Sequence, residues 1–323
     1  MTRAVVDALA DLIVGQDPLR SEFLWQEMYA QLRDHGQKGL LVEGISGIDI
    51  ALWDIRGKFF GVPAYQLLGG AMRSEIDAYA TGLYRRDHGQ PEQYLVEEAL
   101  GYVEQGFGAM KLKVGFGVQE DARVTRAIRD AIGPDVALMV DANHAYDAVA
   151  AIALARRIEE LDIGWFEEPV PPEDLDGYLR VKAATCIPLA GGECEFTRYG
   201  FRDVLTRHAM DIIQPDICAT GGLSECKKLS DMALAFGVRT NPHVWGSGIG
   251  IAASLQWAAL LPTHTPTSLN PAQPLLEFDQ TQHPIRMAIL QEPIRHERGV
   301  VKIPTGPGLG IEIDRDALEA FRA

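Results

Sequence analysis

Residues 138–143 read LMVDAN, residues 165–169 read WFEEP, and residues 189–193 read LAGGE. Each segment is a short apolar run typical of a buried strand, and each carries a carboxylate near its carboxyl end. The three carboxylates follow one another at intervals of 26 residues, which is about the length of one strand with its following helix. This spacing predicts a chain built from repeated βα units.

Seven β-like runs and a candidate eighth lie along the chain, and amphipathic helical patterns separate them. The runs cover residues 76–84, 110–114, 137–141, 163–167, 187–191, 211–214, 238–244 and 275–278. Strands that alternate with helices form a parallel sheet, either open or closed. An open sheet that binds a dinucleotide would carry G-x-G-x-x-G after its first strand, and the sequence lacks that motif. We therefore predict the α/β class with a closed TIM-like barrel.

The composition is that of a globular protein that binds neither nucleic acid nor membranes. Of 323 residues, 47% are hydrophobic and 23% are charged, and the formal net charge is −15. An acidic chain disfavours nucleic acid and anionic membranes as partners, because both need a basic face. The four cysteines form no CxxC pair, and the N-terminus does not read as a signal peptide. We expect reduced thiols in a cytoplasmic protein.

Asp141, Glu167 and Glu193 fall at equivalent ends of successive predicted strands. In a barrel these ends converge on the face that holds active sites. Three anions in one small volume repel one another unless a cation lies between them, and an all-oxygen ligand set suits a hard ion such as Mg²⁺. The alternative is that each acid caps the following helix. The adjacent Glu168 is predicted to be a supporting or structural acid, because strand side chains alternate between faces.

Lys111 and Lys113 lie two residues apart in MKLKVG, so they share one face of a strand. Two lysines directed into a barrel are unusual, because buried lysine is rare unless paired. Each ammonium, like a nearby divalent cation, disfavours protonation of the other. We therefore expect lysine pKa values lowered toward neutrality, as a general base requires. The alternative is a surface strand edge, although the intervening positions are apolar.

Asp216 closes IIQPD, and His243 lies in TNPHV one unit later. An aspartate beside a histidine orients the imidazole and raises its basicity. A lone histidine at a strand end is more often structural, but this pairing favours catalysis, with Lys113 and His243 facing each other across the metal. The other histidines show no such pairing and are expected to be structural: His35, His88, His144, His208, His264, His283 and His296.

These motifs together resemble the mandelate racemase subgroup of the enolase superfamily. The matching elements are KLK at 111–113, VDAN at 140–143, FEEP at 166–169, GGE at 191–193, QPD at 214–216 and PHVWG at 242–246. The resemblance implies a (β/α)7β barrel over residues 73–299 beside an α+β capping domain. Residues 1–72 read as helical and lack the family's first cap strands, so we expect an N-terminally incomplete cap to which residues 300–323 return.

The resemblance also implies roles for individual residues. It implies three Mg²⁺ ligands, namely Asp141, Glu167 and Glu193. Lys113 and His243 would be the two bases, with Asp216 supporting the histidine. Lys111 would tune Lys113 and approach the substrate carboxylate. Glu277 in LLEFD matches a late acid that interacts with the bound carboxylate, and a plain strand-end or surface acid is the alternative.

The implied activity is Mg²⁺-dependent removal of the proton α to a carboxylate of a sugar acid or its lactone. The stretches SGIDIALWDIRGK and NPHVWGSG resemble the lactone cycloisomerases of the subgroup, whereas sugar-acid dehydratases and epimerases share the same first step. A non-catalytic barrel with an incomplete cap is the alternative from another functional class. The expected partners are a small carboxylate substrate and, because missing cap strands expose apolar surface, further copies of the chain in a homo-oligomer.

Overall fold

The eight predicted strands are present in the computed structural model, which describes residues 2–264, 268–269 and 271–321. Met1 and residues 322–323, at the outer ends of the predicted regions, lie outside the described residues. The strands are β1 (Glu75–Thr81), β2 (Ala109–Lys113), β3 (Ala137–Asp141), β4 (Ile163–Glu167), β5 (Leu189–Gly191), β6 (Ile212–Ile213), β7 (Arg239–Thr240) and β8 (Leu276–Asp279).

Strands β1 to β7 pair in sequence order, each parallel to the next, and β8 returns to pair in parallel with β1. Between β7 and β8, the backbone N–H of Leu275 donates to Oδ1 of Asn241 at 3.3 Å. The β-like runs therefore belong to one closed barrel, as the alternation of strands and helices predicts. Because all eight strands run the same way, their carboxyl ends meet at one mouth.

Helices connect the strands and cover the outside of the barrel. They are α5 (Pro91–Glu104), α6 (Val118–Ile132), α7 (Ala148–Ile158), α8 (Leu175–Lys182), α9 (Thr197–Thr206), α10 (Gly222–Ala235) and α11 (Gly248–Ala258), with a short 3-10 turn at Glu159–Leu161. Helix α6 illustrates the cause: Val124, Ile128 and Ile132 recur at helical spacing and are all buried against the sheet. No helix within the described residues is long and apolar enough to cross a membrane.

Four helices precede the barrel: α1 (Thr2–Ile13), α2 (Ser21–Leu32), α3 (Leu40–Phe60) and α4 (Ala64–Leu67). Helices α1 to α3 share a small core that includes Leu9, Trp25 and Ile45. Helix α3 ends where Gly61 adopts a left-handed conformation with φ of 69°, which glycine tolerates because it has no Cβ.

A polar network docks α3 onto the first turn of α10. Asp49 accepts the backbone N–H of Ser224 at 2.9 Å and its hydroxyl at 2.6 Å. The indole of Trp53 donates to the same hydroxyl oxygen at 2.8 Å, and the hydroxyl of Ser46 accepts the N–H of Gly221 at 2.8 Å. Asp49 thus satisfies an amide that the helix start leaves without an intrahelical partner.

The chain after β8 contains α12 (Pro284–Ala288), β9 (His296–Glu297), β10 (Val300–Lys302) and α13 (Arg315–Ala320). Strand β10 pairs antiparallel with the start of β1 and with β9. These strands were not predicted, because two or three residues are too few to show an alternating pattern. Farther on, Gly308 accepts the N–H of Ala64 at 2.8 Å. The division at residues 72 and 299 stays a prediction.

Candidate active site

Charged side chains from neighbouring strands meet at the carboxyl mouth of the barrel. Lys113 on β2 is the register partner of Asp141 on β3, and Asp141 is the register partner of Glu167 on β4. Glu193 lies two residues beyond the end of β5. The helix-capping alternative is wrong for Asp141, because the helix after β3 is capped by Asp147, whose carboxylate accepts the N–H of Ala150.

Lys111 lies beneath this mouth and is only 1% exposed. Its Nζ is 2.5 Å from Glu167 Oε1, 2.9 Å from Glu277 Oε1 and 3.3 Å from Asp141 Oδ2. The surface-strand alternative is therefore wrong for Lys111. One ammonium binds three carboxylates, and this arrangement offsets the cost of burying its charge.

Lys113 shares the face of Lys111, as their spacing predicts, but lies closer to solvent. Its Nζ donates to Asp141 Oδ2 at 2.5 Å and to Asn143 Oδ1 at 2.7 Å. The amide nitrogen of Asn143 is in turn 3.4 Å from Glu193 Oε1. Asn143 therefore connects the lysine to the third predicted acid, a role that only its place in the VDAN motif hinted at.

His243 and Asp216 come together at the ends of β7 and β6. His243 Nδ1 is 2.7 Å from Asp216 Oδ2, so the aspartate fixes the orientation of the ring. His243 Nε2 faces Glu193 Oε2 at 3.3 Å and Glu277 Oε2 at 3.8 Å. The predicted pairing thus presents the far ring nitrogen to the mouth of the barrel.

Glu277 on β8 is 2% exposed, so the surface-acid alternative is wrong. Its oxygens accept the hydroxyl of Thr81 at 2.7 Å and the backbone N–H of Val244 at 2.9 Å. Burial raises its pKa, but Lys111 and His243 lower it more, so the pKa falls to about 2. Glu277 is a fixed negative charge between the lysine and histidine sides of the site.

The pKa values of the three predicted ligands differ in direction. Burial, followed by the charge of Asp141, raises the pKa of Glu167 to about 8. Burial also raises the pKa of Glu193, although His243 opposes it. For Asp141 burial is outweighed by Lys111 and Lys113, which hold its pKa below the usual range. Burial and the neighbouring acids thus disfavour the ionised form of Glu167 in the free protein, which indicates negative charge in excess of the local cations.

The prediction of lowered lysine pKa values is wrong for this arrangement of charges. Burial lowers the pKa of Lys113, and Lys111 adds to that effect, but Asp141 and Glu167 raise it more, so the net shift is upward. The pKa of Lys111 is raised as well, against burial, by Glu167 and Glu277.

The pKa of His243 also shifts upward. Burial lowers the pKa of His243, but Glu277 and Asp216 raise it to about 10.

The expectation that Asp141, Glu167 and Glu193 meet around one ion stays a prediction. Lys111 Nζ contacts the first two acids, at 3.3 Å from Asp141 and 2.5 Å from Glu167, and Glu193 faces His243 Nε2 at 3.3 Å. The donor chemistry still fits Mg²⁺, since all three ligands are carboxylates. Around this mouth five carboxylates face two ammoniums and one imidazolium, an excess that one divalent cation would neutralise.

A cavity of about 160 Å³ opens between these side chains. Its walls are formed by Thr81, Tyr84, Lys113, Asn143, Glu193, His243, Trp245 and Glu277. Lys111 is absent from the walls, so the prediction that it approaches the substrate is not supported by its position. Tyr84 and Trp245 were not predicted, because an aromatic residue in a loop carries no spacing signal that separates a binding wall from a core contact.

Glu168 points away from the buried side chains that surround Glu167. Its φ of 42° turns the side chain away from the mouth, and its Oε2 lies 2.5 Å from Nε2 of His144. The prediction that Glu167 is the inward acid agrees with the structure. The prediction that His144 has no carboxylate partner is wrong, because residues 24 apart in sequence are brought together by adjacent βα loops.

Two family descriptions match the chain. The description "Enolase C-terminal domain-like" matches residues 94–317, and the description "Mandelate racemase / muconate lactonizing enzyme, N-terminal domain" matches residues 1–69. Together they cover the helices that precede the barrel and the chain from within α5 to residue 317, while residues 70–93, which include β1, lie between the two matches.

Named relatives and a solved structure cover nearly the whole chain. D-galactarolactone cycloisomerase of Agrobacterium fabrum is 51% identical over 99% of this chain and 84% of its own length. Arabinonate dehydratase of Saccharolobus solfataricus is 36% identical over 97% of this chain and 81% of its own length. The crystal structure of the 3,6-anhydro-D-galactonate cycloisomerase from Zobellia galactanivorans superposes with a TM-score of 0.91 at 44% identity, covering 99% of this chain and 87% of that one.

Proposed function

Because the chain belongs to the mandelate racemase/muconate lactonizing enzyme family of the enolase superfamily, we propose that it removes the proton α to the carboxylate of a sugar acid or its lactone in a cycloisomerisation. The observation that carries this proposal is one cavity lined by Lys113, His243 and Glu193. The names of two relatives, both cycloisomerases of sugar-acid derivatives, support the choice of reaction.

Lys113 and His243 act at opposite sides of the cavity. We assign Lys113 Nζ as the group that takes the α-proton and His243 Nε2 as the group that delivers one. The raised pKa of His243, about 10, keeps its ring protonated near neutral pH, which suits a proton donor. Lys113 becomes a base only where the charge of Asp141 is neutralised, because that carboxylate now stabilises its ammonium.

The carboxylates would hold the Mg²⁺ ion that members of the superfamily generally use. Asp141, Glu167 and Glu193 are the candidate ligands. When bound, Mg²⁺ would stabilise the negative charge that develops on the substrate carboxylate. The ammonium of Lys111, deeper in the barrel, contacts both Asp141 and Glu167. We therefore assign Lys111 the role of positioning these two carboxylates.

Dehydration of a sugar acid is the second candidate reaction. Arabinonate dehydratase, 36% identical to the chain, supports it, because a dehydratase begins with removal of the same α-proton. The two outcomes differ in their products: cycloisomerisation conserves the atoms of the substrate, whereas dehydration releases water and leaves a keto acid. Product analysis therefore separates the two reactions once a substrate is found.

Exchange of the α-proton in heavy water tests the proposal. With Mg²⁺ and a panel of aldonic acids, aldaric acids and their lactones, we expect wild-type protein to exchange or convert at least one compound, and EDTA to stop the reaction. Lys113→Ala and His243→Asn should each slow the conversion about 10²-fold to 10⁴-fold. Lys302→Ala and His35→Asn, at exposed positions, are matched controls that should keep full activity.

Two outcomes would contradict the proposal. Full turnover by Lys113→Ala or by His243→Asn on the identified substrate would remove the substituted residue from the mechanism. Absence of exchange with every panel member would contradict the substrate class.

Self-association stays a prediction. Helix α3 exposes Phe59 at 68%, Phe60 at 53% and Ile55 at 44%, and apolar side chains grouped on one helix are typical of a contact between proteins. Sedimentation of the full chain over a range of concentrations measures whether it associates.

A further inference from the structure

We propose that His144, Glu168 and Cys194 form a second cation site, selective for a borderline-soft divalent ion of the Zn²⁺ class. The site lies in the loops after β3, β4 and β5. One donor atom from each side chain, namely a ring nitrogen, a carboxylate oxygen and the thiol sulfur, lies within 4.8 Å of the other two. The proposal does not depend on the proposed reaction.

The backbone holds these loops in register. The N–H of His144 donates to the carbonyl of Glu168 at 2.9 Å, and the N–H of Glu168 donates to the carbonyl of Ala190 at 3.0 Å. Tetrahedral zinc bonds of about 2.0–2.3 Å place two ligand atoms of one ion roughly 3.3–3.8 Å apart. Small side-chain rotations are therefore enough to bring all three donors onto a single ion.

A second observation points to a missing cation. Glu168 is fully buried, and neither of its carboxylate oxygens has a hydrogen-bond partner in the described part of the chain. The nearby Nε2 of His144, 2.5 Å from Oε2, also lacks hydrogen-bond geometry. Apart from its ion pair with His144, this buried carboxylate has no donor among the described residues, which is costly, and a bound ion would supply a further interaction.

The ligand types select the ion. A thiolate and an imidazole favour Zn²⁺ and similar transition metals, whereas Mg²⁺ prefers oxygen ligands only. Three protein ligands leave one position open for water or another small ligand. Cys194 is exposed, so the site has an entry path from solvent, and its thiol would lose a proton on binding.

This site is separate from the cavity that holds Lys113 and His243. None of its three ligands is part of the cavity wall. The side chain of Glu167 is engaged inside the barrel by Trp165 at 2.8 Å and Gln214 at 2.7 Å, whereas the positive φ of Glu168 sends its side chain elsewhere. Mg²⁺ at the carboxylates and a softer ion at His144 would therefore be held by different side chains.

Cadmium binding to the full chain tests the site, because a Cd²⁺–thiolate bond gives an ultraviolet charge-transfer band. Titrated with Cd²⁺ in excess Mg²⁺, wild-type protein is expected to show the band and to saturate at one equivalent at this site. Cys194→Ser should lose the band and bind Zn²⁺ at least about 10-fold more weakly. Cys186→Ser, which removes another exposed thiol, is the matched control and should keep both properties.

Glu168→Gln separates the three-ligand site from a reactive surface thiol. It leaves the cysteine in place, so the proposal expects the Cd²⁺ band to persist at roughly 10-fold weaker affinity. Thermal unfolding should shift upward with added Zn²⁺ in wild type and much less in either variant. Any of four results would overturn the proposal. They are the absence of a thiolate band in wild-type protein, an unchanged band in Cys194→Ser, an equal Cd²⁺ affinity in Glu168→Gln and wild type, and displacement of Cd²⁺ by Mg²⁺.

Discussion

Replacing Asp49 with asparagine should change how the stability of the protein depends on pH. Asp49 is fully buried between α3 and the first turn of α10. Burial raises its pKa from 3.8 to about 7, although two hydrogen bonds from Ser224 act in the opposite direction. The carboxyl group therefore keeps its proton in the folded protein at pH values where the unfolded chain has lost it.

The sign of the effect follows from proton binding. Between pH 3.8 and about 7 the folded state binds one more proton than the unfolded state, so the free energy of unfolding falls as pH rises. Each unit of pH within this window costs about 1.4 kcal/mol. Allowing for partial ionisation near each pKa, the loss between pH 5 and pH 8 is about 2.5 kcal/mol.

The amide introduced by Asp49→Asn would stay neutral across this range and retain the contacts. Its carbonyl oxygen can accept the N–H of Ser224, and its NH₂ group can donate to the hydroxyl oxygen that already accepts from Trp53. The stability of Asp49→Asn relative to wild type should rise by about 2.5 kcal/mol from pH 5 to pH 8. With an unfolding entropy of about 2.1 cal/mol/K per residue, this equals a change of about 4 °C in the difference between their Tm values.

Scanning calorimetry at constant ionic strength in EDTA measures both proteins at each pH. The other buried acids, including Glu167 and Glu193, are common to both chains and cancel in the difference. Asp231→Asn, which changes an exposed aspartate on α10, is the matched control and should follow wild type. If the Tm curves of Asp49→Asn and wild type run parallel from pH 5 to pH 8, the assignment of a protonated Asp49 is wrong.

Two further predictions address the packing of α3 and the orientation of His243. A Cβ at Gly57 would lie 2.5 Å from the backbone of Gly308, so Gly57→Ala should destabilise the protein by about 1–3 kcal/mol. Gly47 on the same helix has no atom within 4 Å of that position, and Gly47→Ala should stabilise by about 0.5–1 kcal/mol. Denaturant unfolding measures both, and equal effects would refute the clash. Asp216→Asn should lower kcat about 10²-fold with little change in KM and shift the pH profile of kcat. An unchanged profile would mean that Asp216 does not act through His243.

Much of the barrel and of its charged mouth was predictable from local sequence. Short apolar runs separated by amphipathic helices identified all eight strands, and the 26-residue interval placed Asp141 and Glu167 at neighbouring strand ends. The pairing of Asp216 with His243 followed from the same reasoning. These predictions succeed because strand alternation and the length of a βα unit are properties of contiguous residues.

The charge states of the site were not predictable in this way. Sequence spacing placed two lysines together and suggested lowered pKa values, yet the surrounding acids raise them. The pKa of a buried group depends on the sum of burial and all nearby charges, and those charges come from β2, β3, β4 and β8. The cluster of His144, Glu168 and Cys194 was not predicted, for a related reason. Positive φ angles at His144 and Glu168 redirect side chains that a strand pattern would place elsewhere.

The amino-acid order alone set the succession of strands and helices and the residue type at each strand end, because these depend on the periodicity of apolar residues along the chain. Long-range packing settled which charges pair, which of two adjacent glutamates contacts the buried lysine, and how the helices before β1 dock onto α10. Those outcomes depend on distances between residues far apart in sequence and on backbone conformations at single positions, and closure of the barrel sets both.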